Sequence, residues 1–259
     1  MLLAIDIGNT TIDIGVFKDE DLFTHWNVAT DVQKSSDEYA VILLSLFQQQ
    51  GLQSTDIEEV VICSVSPPLV PILREFCQRY LNTSPLVVEA GVKTGVSILM
   101  DNPREVGPDR IVNAVGGHYL YGGPLIVIDM GTATTFDVVS EKGDYLGGAI
   151  APGIKVAAES LFQRTAKLPL VELARPKNVI GRDTISAMQS GFIFGYVGLI
   201  EGIISRIHNE QGGTSKVIAT GGYADLLAKE TKIIEVVDPY LTLIGLRVIY
   251  ERNMGKKYV

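Results

Sequence analysis

Short apolar runs recur along the chain, and each ends in a turn containing Gly or Ser. Residues 2–6 (LLAID), 11–17 (TIDIGVF), 59–66 (EVVICSVS), 124–131 (PLIVIDMG), 135–140 (TFDVVS) and 217–222 (VIATGG) read as strands, being rich in β-branched residues and bounded by turn formers. Longer stretches with helical spacing lie between several of them. Residues 35–51 open with Ser, Asp and Glu and stop at Gly51, as a capped helix does. Residues 67–82 begin with two prolines, which suit a first helical turn because its N–H groups have no partner within the helix. Strands alternating with helices predict an α/β protein with a largely buried, partly parallel sheet.

The pattern also repeats. Residues 4–23 (AIDIGNTTIDIGVFKDEDLF) align without a gap with residues 127–146 (VIDMGTATTFDVVSEKGDYL). Both copies read apolar strand, Asp, apolar residue, Gly, hydroxyl-rich turn, second strand, charged hairpin tip and third strand. A repeat of this length predicts two halves of like topology, each beginning with an antiparallel meander. The glycines of residues 116–124 precede the second copy, so the expected domains are 1–117 and 118–259. Each half would aim its strand–turn at a cleft between them, the kind of place where ligands bind.

The turns suggest chemistry. Gly8 and Gly131 permit close approach of a ligand to the backbone, while Thr10, Thr11, Thr132 and Thr134 supply hydroxyls and the turn amides can form an anion-binding nest. Asp6 or Asp129 beside such a nest would repel a phosphate unless Mg2+ or its water shell stood between, and Mg2+ is usually held by one or two carboxylates together with phosphates. A single Asp-x-Gly could simply start a hairpin; two aligned copies favour a shared function.

Gly107 and Pro108 look like a helix entry, placing Asp109 and Arg110 in its first turn. A helix N-terminus favours an ionised carboxylate, so Asp109 could serve as a base and Arg110 as a fork for a substrate carboxylate. The alternative is that Asp109 only complements the helix dipole and Arg110 pairs with Glu105. Gly221 and Gly222, between a strand and a helix, could receive a phosphate or base or serve packing alone. Residues 147–153 (GGAIAPG) read as a connection or as a loop shaped around a ligand. A helix capped near Asp183 or Thr184 carries Ser186, Ala187, Ser190, Gly191, Gly195 and Gly198, small residues that predict close helix packing, a subunit interface being one form of it.

Composition narrows the field. The 259 residues are 46% apolar and 20% charged, with a net charge of −8. No Lys/Arg run occurs beyond Lys256–Lys257, so nucleic acid and anionic membranes, which call for a basic footprint, are not expected partners. Cys63 and Cys77 read as two small apolar residues in a reducing cytosol. His25, His118 and His208 are scattered without zinc-type spacing. The N-terminus lacks a signal-peptide pattern and no apolar stretch reaches the ~18 residues that span a bilayer. The expected location is cytoplasmic.

With these segments in view, the chain resembles the type III pantothenate kinases, bacterial enzymes of coenzyme A biosynthesis. The resemblance spans nearly the whole chain: residues 6–10 (DIGNT), 102–110 (NPREVGPDR), 129–135 (DMGTATT), 147–153 (GGAIAPG), 166–169 (AKLP), 183–191 (DTISAMQSG) and 219–222 (ATGG), in that order. It implies two duplicated ribonuclease-H-like domains of the actin-like ATPase fold, a homodimer, and ATP-dependent phosphorylation of pantothenate to 4′-phosphopantothenate with Mg2+ and a monovalent cation, K+ or NH4+. Carried onto this chain, the segment Asp6, Ile7, Gly8, Asn9, Thr10, Thr11, Ile12 and Asp13 resembles the ATP phosphate-binding strand–turn, with Asp6 holding Mg2+ directly or through water. Thr132 resembles a further ATP contact and Asp129 the monovalent-cation ligand. Gly107, Pro108, Asp109 and Arg110 resemble the pantothenate-binding loop, with Asp109 as general base; Thr184 resembles a pantothenate contact reaching in from the dimer partner. Met100 stands where many members have Tyr, which keeps an apolar contact and loses a hydroxyl donor.

Two other readings compete: a non-catalytic relative that senses nucleotides, and a phosphotransferase of the same superfold acting on a sugar or acetate, since fold alone does not fix function. The presence of Asp6, Asp109, Arg110 and Asp129 argues against the first. Segments 102–110 and 183–191 argue against the second.

Overall fold

The structure, a computed structural model, describes residues 1–255; Lys256 and Lys257 lie outside the described residues. It forms two compact units. The first comprises Met1–Val96, Asp101–Leu120 and the chain from Leu241 on, and the second Ser97–Met100 and Tyr121–Tyr240.

The sheet of the first unit contains β1 (Leu2–Ile7), β2 (Thr11–Lys18), β3 (Asp21–Ala29), β4 (Glu59–Ser64) and β5 (Leu86–Val87), in the order β3-β2-β1-β4-β5. β1 is antiparallel to β2 and parallel to β4. Alternation along β1 and β2 sends Leu3, Ile5, Ile7, Ile12 and Ile14 into one apolar core with α1 (Ser36–Gln49) and α2 (Leu69–Tyr80). The predicted cap is present: Ser35 accepts from the Glu38 amide, and the Glu38 carboxylate accepts from Ser35 N–H, satisfying two amides that have no partner inside the helix.

The other face of this sheet carries small residues. Ala4 is paired with Gly15, and a Cβ on Gly15 would stand 3.0 Å from Leu243. α7 (Leu241–Met254) packs here against β1, β2 and β4. α3 (Pro108–Tyr121) in turn packs on α7: a Cβ on Gly116 would meet Leu241 O at 2.6 Å, and one on Gly245 would collide with Val112 O. Thr242 donates to the buried Asn113 side chain at 2.7 Å. Backbone-to-backbone contact at the two glycines thus fixes α3, and with it the first turn that bears Asp109. The expected division at residue 117 does not describe these units, because α7 returns to cover the first sheet.

The second unit repeats the plan. Its sheet contains β6 (Leu125–Met130), β7 (Ala133–Val139), β8 (Tyr145–Pro152), β9 (Lys216–Thr220) and β10 (Val236–Val237), in the order β10-β9-β6-β7-β8. Read from β8, that is the connectivity of the first sheet. Residues 147–152, expected to be a connection or a ligand loop, instead belong to the edge strand β8. Its core is closed by α4 (Ile154–Arg164), α5 (Thr184–Gln211) and α6 (Ala224–Ala228). By length and composition α5 could cross a membrane. Its Ile193, Tyr196, Val197, Ile200 and Ile204 are instead buried on the sheet, as in a core helix. Two duplicated α/β units of one topology match the expected fold class.

Candidate active site

In the first unit, β1 ends in a tight turn. Gly8 N–H donates to Thr11 O at 2.9 Å, and a Cβ on Gly8 would lie 2.8 Å from that oxygen, so no larger residue fits. β3 holds the turn from the side: Thr30 N–H donates to Thr10 O at 2.9 Å and Thr30 Oγ1 to Gly8 O at 2.8 Å. Asn9 and Thr10 at the tip are exposed, as a phosphate-receiving turn must be. Ile7 and Ile12 point into the core and can offer a ligand only their backbone.

Asp6 lies within a polar row that crosses the sheet. Its register partners are Asp13 on β2 and Cys63 on β4, and Asp13 is paired with Asn27 on β3. Directly opposed residues share a sheet face, so Asn27, Asp13, Asp6 and Cys63 line the face that α7 covers. Asn27 donates to Asp13 at 2.6 Å. Burial pushes the Asp13 carboxyl up, opposed by the Asn27 hydrogen bond and the nearby His25 charge.

Asp109 joins this row. Burial pushes its carboxyl up, against the opposing effects of the Arg110 amide and the Arg110 charge. The helix N-terminus favours the ionised form; burial works against it, and the net upward shift makes Asp109 a stronger base than a surface Asp. Gly107 leaves room for it, since a Cβ there would collide with Asp109 Oδ1. Burial pushes the Cys63 thiol well above its usual range, and the charges of Asp6 and Asp109 add to that shift. Asp6, in register with Cys63, and Asp109 thus both lie near enough to that buried thiol to influence it. Glu105 accepts from Asn102 at 2.6 Å.

In the second unit, Asp129 occupies the place of Asp6, with Thr135 on β7 and Thr220 on β9 as its register partners. Gly221, at φ +91°, lies against it: a Cβ there would stand 2.7 Å from Asp129 Oδ1. The diglycine therefore has a structural reason at its first residue, close approach to a carboxylate. Gly131 N–H donates to Ala133 O and Gly153 N–H to Thr132 O, both at 3.0 Å, so Gly153 braces the second turn as Thr30 braces the first. Thr132 is exposed. Beneath the row, the fully buried Asp137 accepts from Tyr145 at 2.8 Å and Thr135 at 3.0 Å.

The described residues contain no group of three or more His, Cys, Asp or Glu side chains arranged to hold a metal. One carboxylate or two beside a phosphate-binding turn is the donor set that suits Mg2+ bound with a nucleotide, and Asp6 with Asp13 fits it.

Comparison with known proteins decides between the readings. A type III pantothenate kinase family model matches residues 2–206. A type III pantothenate kinase of Moorella thermoacetica is 55% identical over 253 residues, covering 98% of this chain and 100% of that one. The chain belongs to the type III pantothenate kinase family. Among solved structures, a Campylobacter jejuni protein assigned to the Baf family of transcriptional activators has a TM-score of 0.63 at 18% identity, covering 98% of this chain and 99% of that one. The activator of 2-hydroxyisocaproyl-CoA dehydratase from Clostridium difficile, with ADPNP bound, has a TM-score of 0.52 at 14% identity, covering 100% and 98%. At these identities the likeness is one of fold.

For a pantothenate kinase of this type, the structure gathers Asp6, Asp13, Gly107, Pro108, Asp109 and Arg110 into the first unit. Met100, Asp129, Thr132 and Thr184 belong to the second. Met100 Cγ lies 3.9 Å from where a Gly147 Cβ would be, so β8 supports this residue. Thr184 is exposed at the first turn of α5, which Asp183 caps by accepting from Ser186 N–H at 2.8 Å. Asn27, Thr30, Cys63, Gly153 and Thr220 were not singled out from the sequence for this site. Strand register brings Asn27, Cys63 and Thr220 to it, and hydrogen bonds to the turns bring Thr30 and Gly153.

Proposed function

We infer that this chain phosphorylates pantothenate with ATP, giving 4′-phosphopantothenate, as its family does in coenzyme A biosynthesis. The observation that carries the residue assignment is the convergence of Asp6 and Asp109 on one side of the first sheet. The turn from Gly8 to Thr11 receives the ATP phosphates, with Ile7 and Ile12 contributing backbone only, and Thr132 adds a contact. Asp6, with Asp13 beside it, holds the divalent metal directly or through water. When bound, Mg2+ neutralises charge on the β- and γ-phosphates, which phosphoryl transfer requires more than covalent help.

Gly107, Pro108 and Arg110 bind pantothenate, Arg110 pairing with its carboxylate. Asp109 accepts the proton of the attacking hydroxyl, and its raised basicity suits that task. Met100 supplies an apolar contact. Asp129, with threonines on both flanks, is the ligand for a monovalent cation, K+ or NH4+.

Support for a homodimer comes from α5. Gly191, Gly195 and Gly198 are exposed with open space before them, and Ile180 and Ile185 near its start are 81% and 52% exposed. A second copy packed there would cover this surface and place Thr184 at a partner's substrate. The acidic charge balance supports a cytoplasmic enzyme without nucleic-acid or membrane partners.

The test is ATP-dependent phosphorylation of pantothenate with Mg2+, with and without K+ or NH4+, set beside sugars and acetate as acceptors. Turnover specific for pantothenate and dependent on the monovalent cation is expected. ATP binding without turnover on any acceptor would refute the assignment.

A further inference from the structure

The first unit contains a buried nucleophilic group that the scheme above does not use. Cys63 is 0% exposed, on β4, directly opposite Asp6 in the parallel register. Cys77 is also buried, but among Leu73, Phe76 and the rest of the apolar core. Cys63 instead lies on the polar face, in register with Asp6 on the adjacent strand, so that its S–H is placed to donate to that carboxylate, and the charges of Asp6 and Asp109 both act on it.

We propose that Cys63 is a positioning residue: its thiol, donating from the neighbouring strand, fixes the Asp6 carboxylate in the orientation that receives the metal–ATP complex. The proposal rests on the assignment of Asp6 made above. On its β2 flank Asp6 faces Asp13, another carboxylate, and like charges directly opposed destabilise each other. A donor on the β4 flank counters that repulsion. A Lys or Arg there would do so with a full positive charge, competing with the metal for the same carboxylate. A neutral S–H orients Asp6 without neutralising it, and as a weak donor it yields readily when a cation binds. Complete burial keeps water from substituting for it, and pairing on adjacent strands keeps the thiol from turning elsewhere.

Two measurements test this, one of them read on the Cys63 thiol itself. The infrared S–H stretching band of Cys63, identified by its loss in Cys63→Ser, is expected to move to higher frequency in Asp6→Asn, because a neutral amide oxygen is a weaker acceptor than a carboxylate. An unmoved band would overturn the hydrogen bond and the proposal with it. In kinetics, Cys63→Ala is expected to raise KM for metal–ATP about tenfold, the lower end of what loss of a residue supporting a metal ligand costs. KM for pantothenate should stay unchanged, and Cys63→Ser, which keeps a donor, should restore the wild-type value. If Asp6→Asn raises KM for metal–ATP while Cys63→Ala does not, Cys63 has no positioning role though Asp6 keeps its own. Equal loss in the Ser and Ala variants would reduce Cys63 to packing. If Asp6→Asn itself leaves metal–ATP dependence untouched, the assignment of Asp6 falls first.

Discussion

The two units share one backbone plan but differ in what stands beside the central carboxylate. In the first, Asp6 lies between Asp13 and Cys63; in the second, Asp129 lies between Thr135 and Thr220. One row concentrates negative charge and suits a divalent ion that arrives with phosphates. The other sets its carboxylate between two threonines, a weaker field that would suit the monovalent ion proposed above. Duplication fixed where the carboxylates stand; on the proposal above, cross-strand neighbours, two per carboxylate, set what each can hold. The first unit also brings a helix N-terminus, with Asp109, to its row.

The largest effect should come from that addition. Asp109→Asn is expected to lower kcat by about 10²–10⁴-fold, or roughly 3–5 kcal/mol of barrier, while ATP still binds in a calorimetric titration. Its pH dependence follows from burial. The Asp109 pKa is raised in the folded protein, so the active, ionised base is lost as pH falls through a value above the usual carboxylate one. The same shift means that the protonated form stabilises the fold at low pH and that this contribution is lost as pH rises through the raised pKa. Asp109→Asn should therefore raise Tm at neutral pH relative to wild type, and the difference should vanish at low pH. A variant that turns over normally, or that melts lower at neutral pH, would contradict the role.

Next comes the direct comparison of the rows. Asp6→Asn is expected to raise the Mg2+–ATP requirement by about 10–100-fold, the usual range for disturbing a metal's supports, leaving the K+ dependence alone. Asp129→Asn should do the reverse. Initial rates titrated against each ion separate the two, and the same change in both profiles for either variant would erase the distinction between the units.

Much of this was legible in the sequence because it is local. Strand alternation and the Ser35–Glu38 cap depend on residues close along the chain, and with the internal repeat they predicted β1, β2, α1 and the paired units. The second turn is nevertheless one residue shorter than the gapless alignment implies: Asp6 pairs with Asp13 but Asp129 with Thr135. What escaped depends on register or return. Asn27, Cys63 and Thr220 meet the carboxylates only because neighbouring strands pair at one residue offset and not another. The segment 147–153 looked like a loop because its glycines mask a strand at the sheet edge. α7 carries no motif that tells it to rejoin the first sheet. Asp109 was recognised, but the burial that raises its basicity is a property of the folded chain and not of its neighbours in sequence.

That dependence gives a third prediction, at the level of the fold. Gly245→Ala would place a methyl against Val112 O where α3 and α7 touch, and overpacking of this kind costs about 1–3 kcal/mol. Chemical denaturation should register that loss. Because the shift moves α3, kcat should fall in the surviving folded protein while the K+ dependence, proposed above for Asp129 of the other unit, stays in place. A stable variant with unchanged kcat would show that α3 does not need the glycine contact to present Asp109.

The smallest expected effect is the one that most sharply tests how neighbours divide the two rows. Thr220 is 2% exposed and stands opposite Asp129 in the place that Cys63 takes opposite Asp6. Thr220→Val keeps nearly the same shape and removes only the hydroxyl. If that oxygen helps to hold a monovalent ion, losing it should weaken binding by about 0.5–1.5 kcal/mol, a few-fold rise in the K+ or NH4+ concentration needed for half-maximal rate. The Mg2+–ATP dependence and Tm should barely move. A cation requirement unchanged within error would place the site's selectivity in Asp129 and the backbone alone. The threonine row would then be a packing choice, and the chemical contrast between the units would rest on the acidic row of the first.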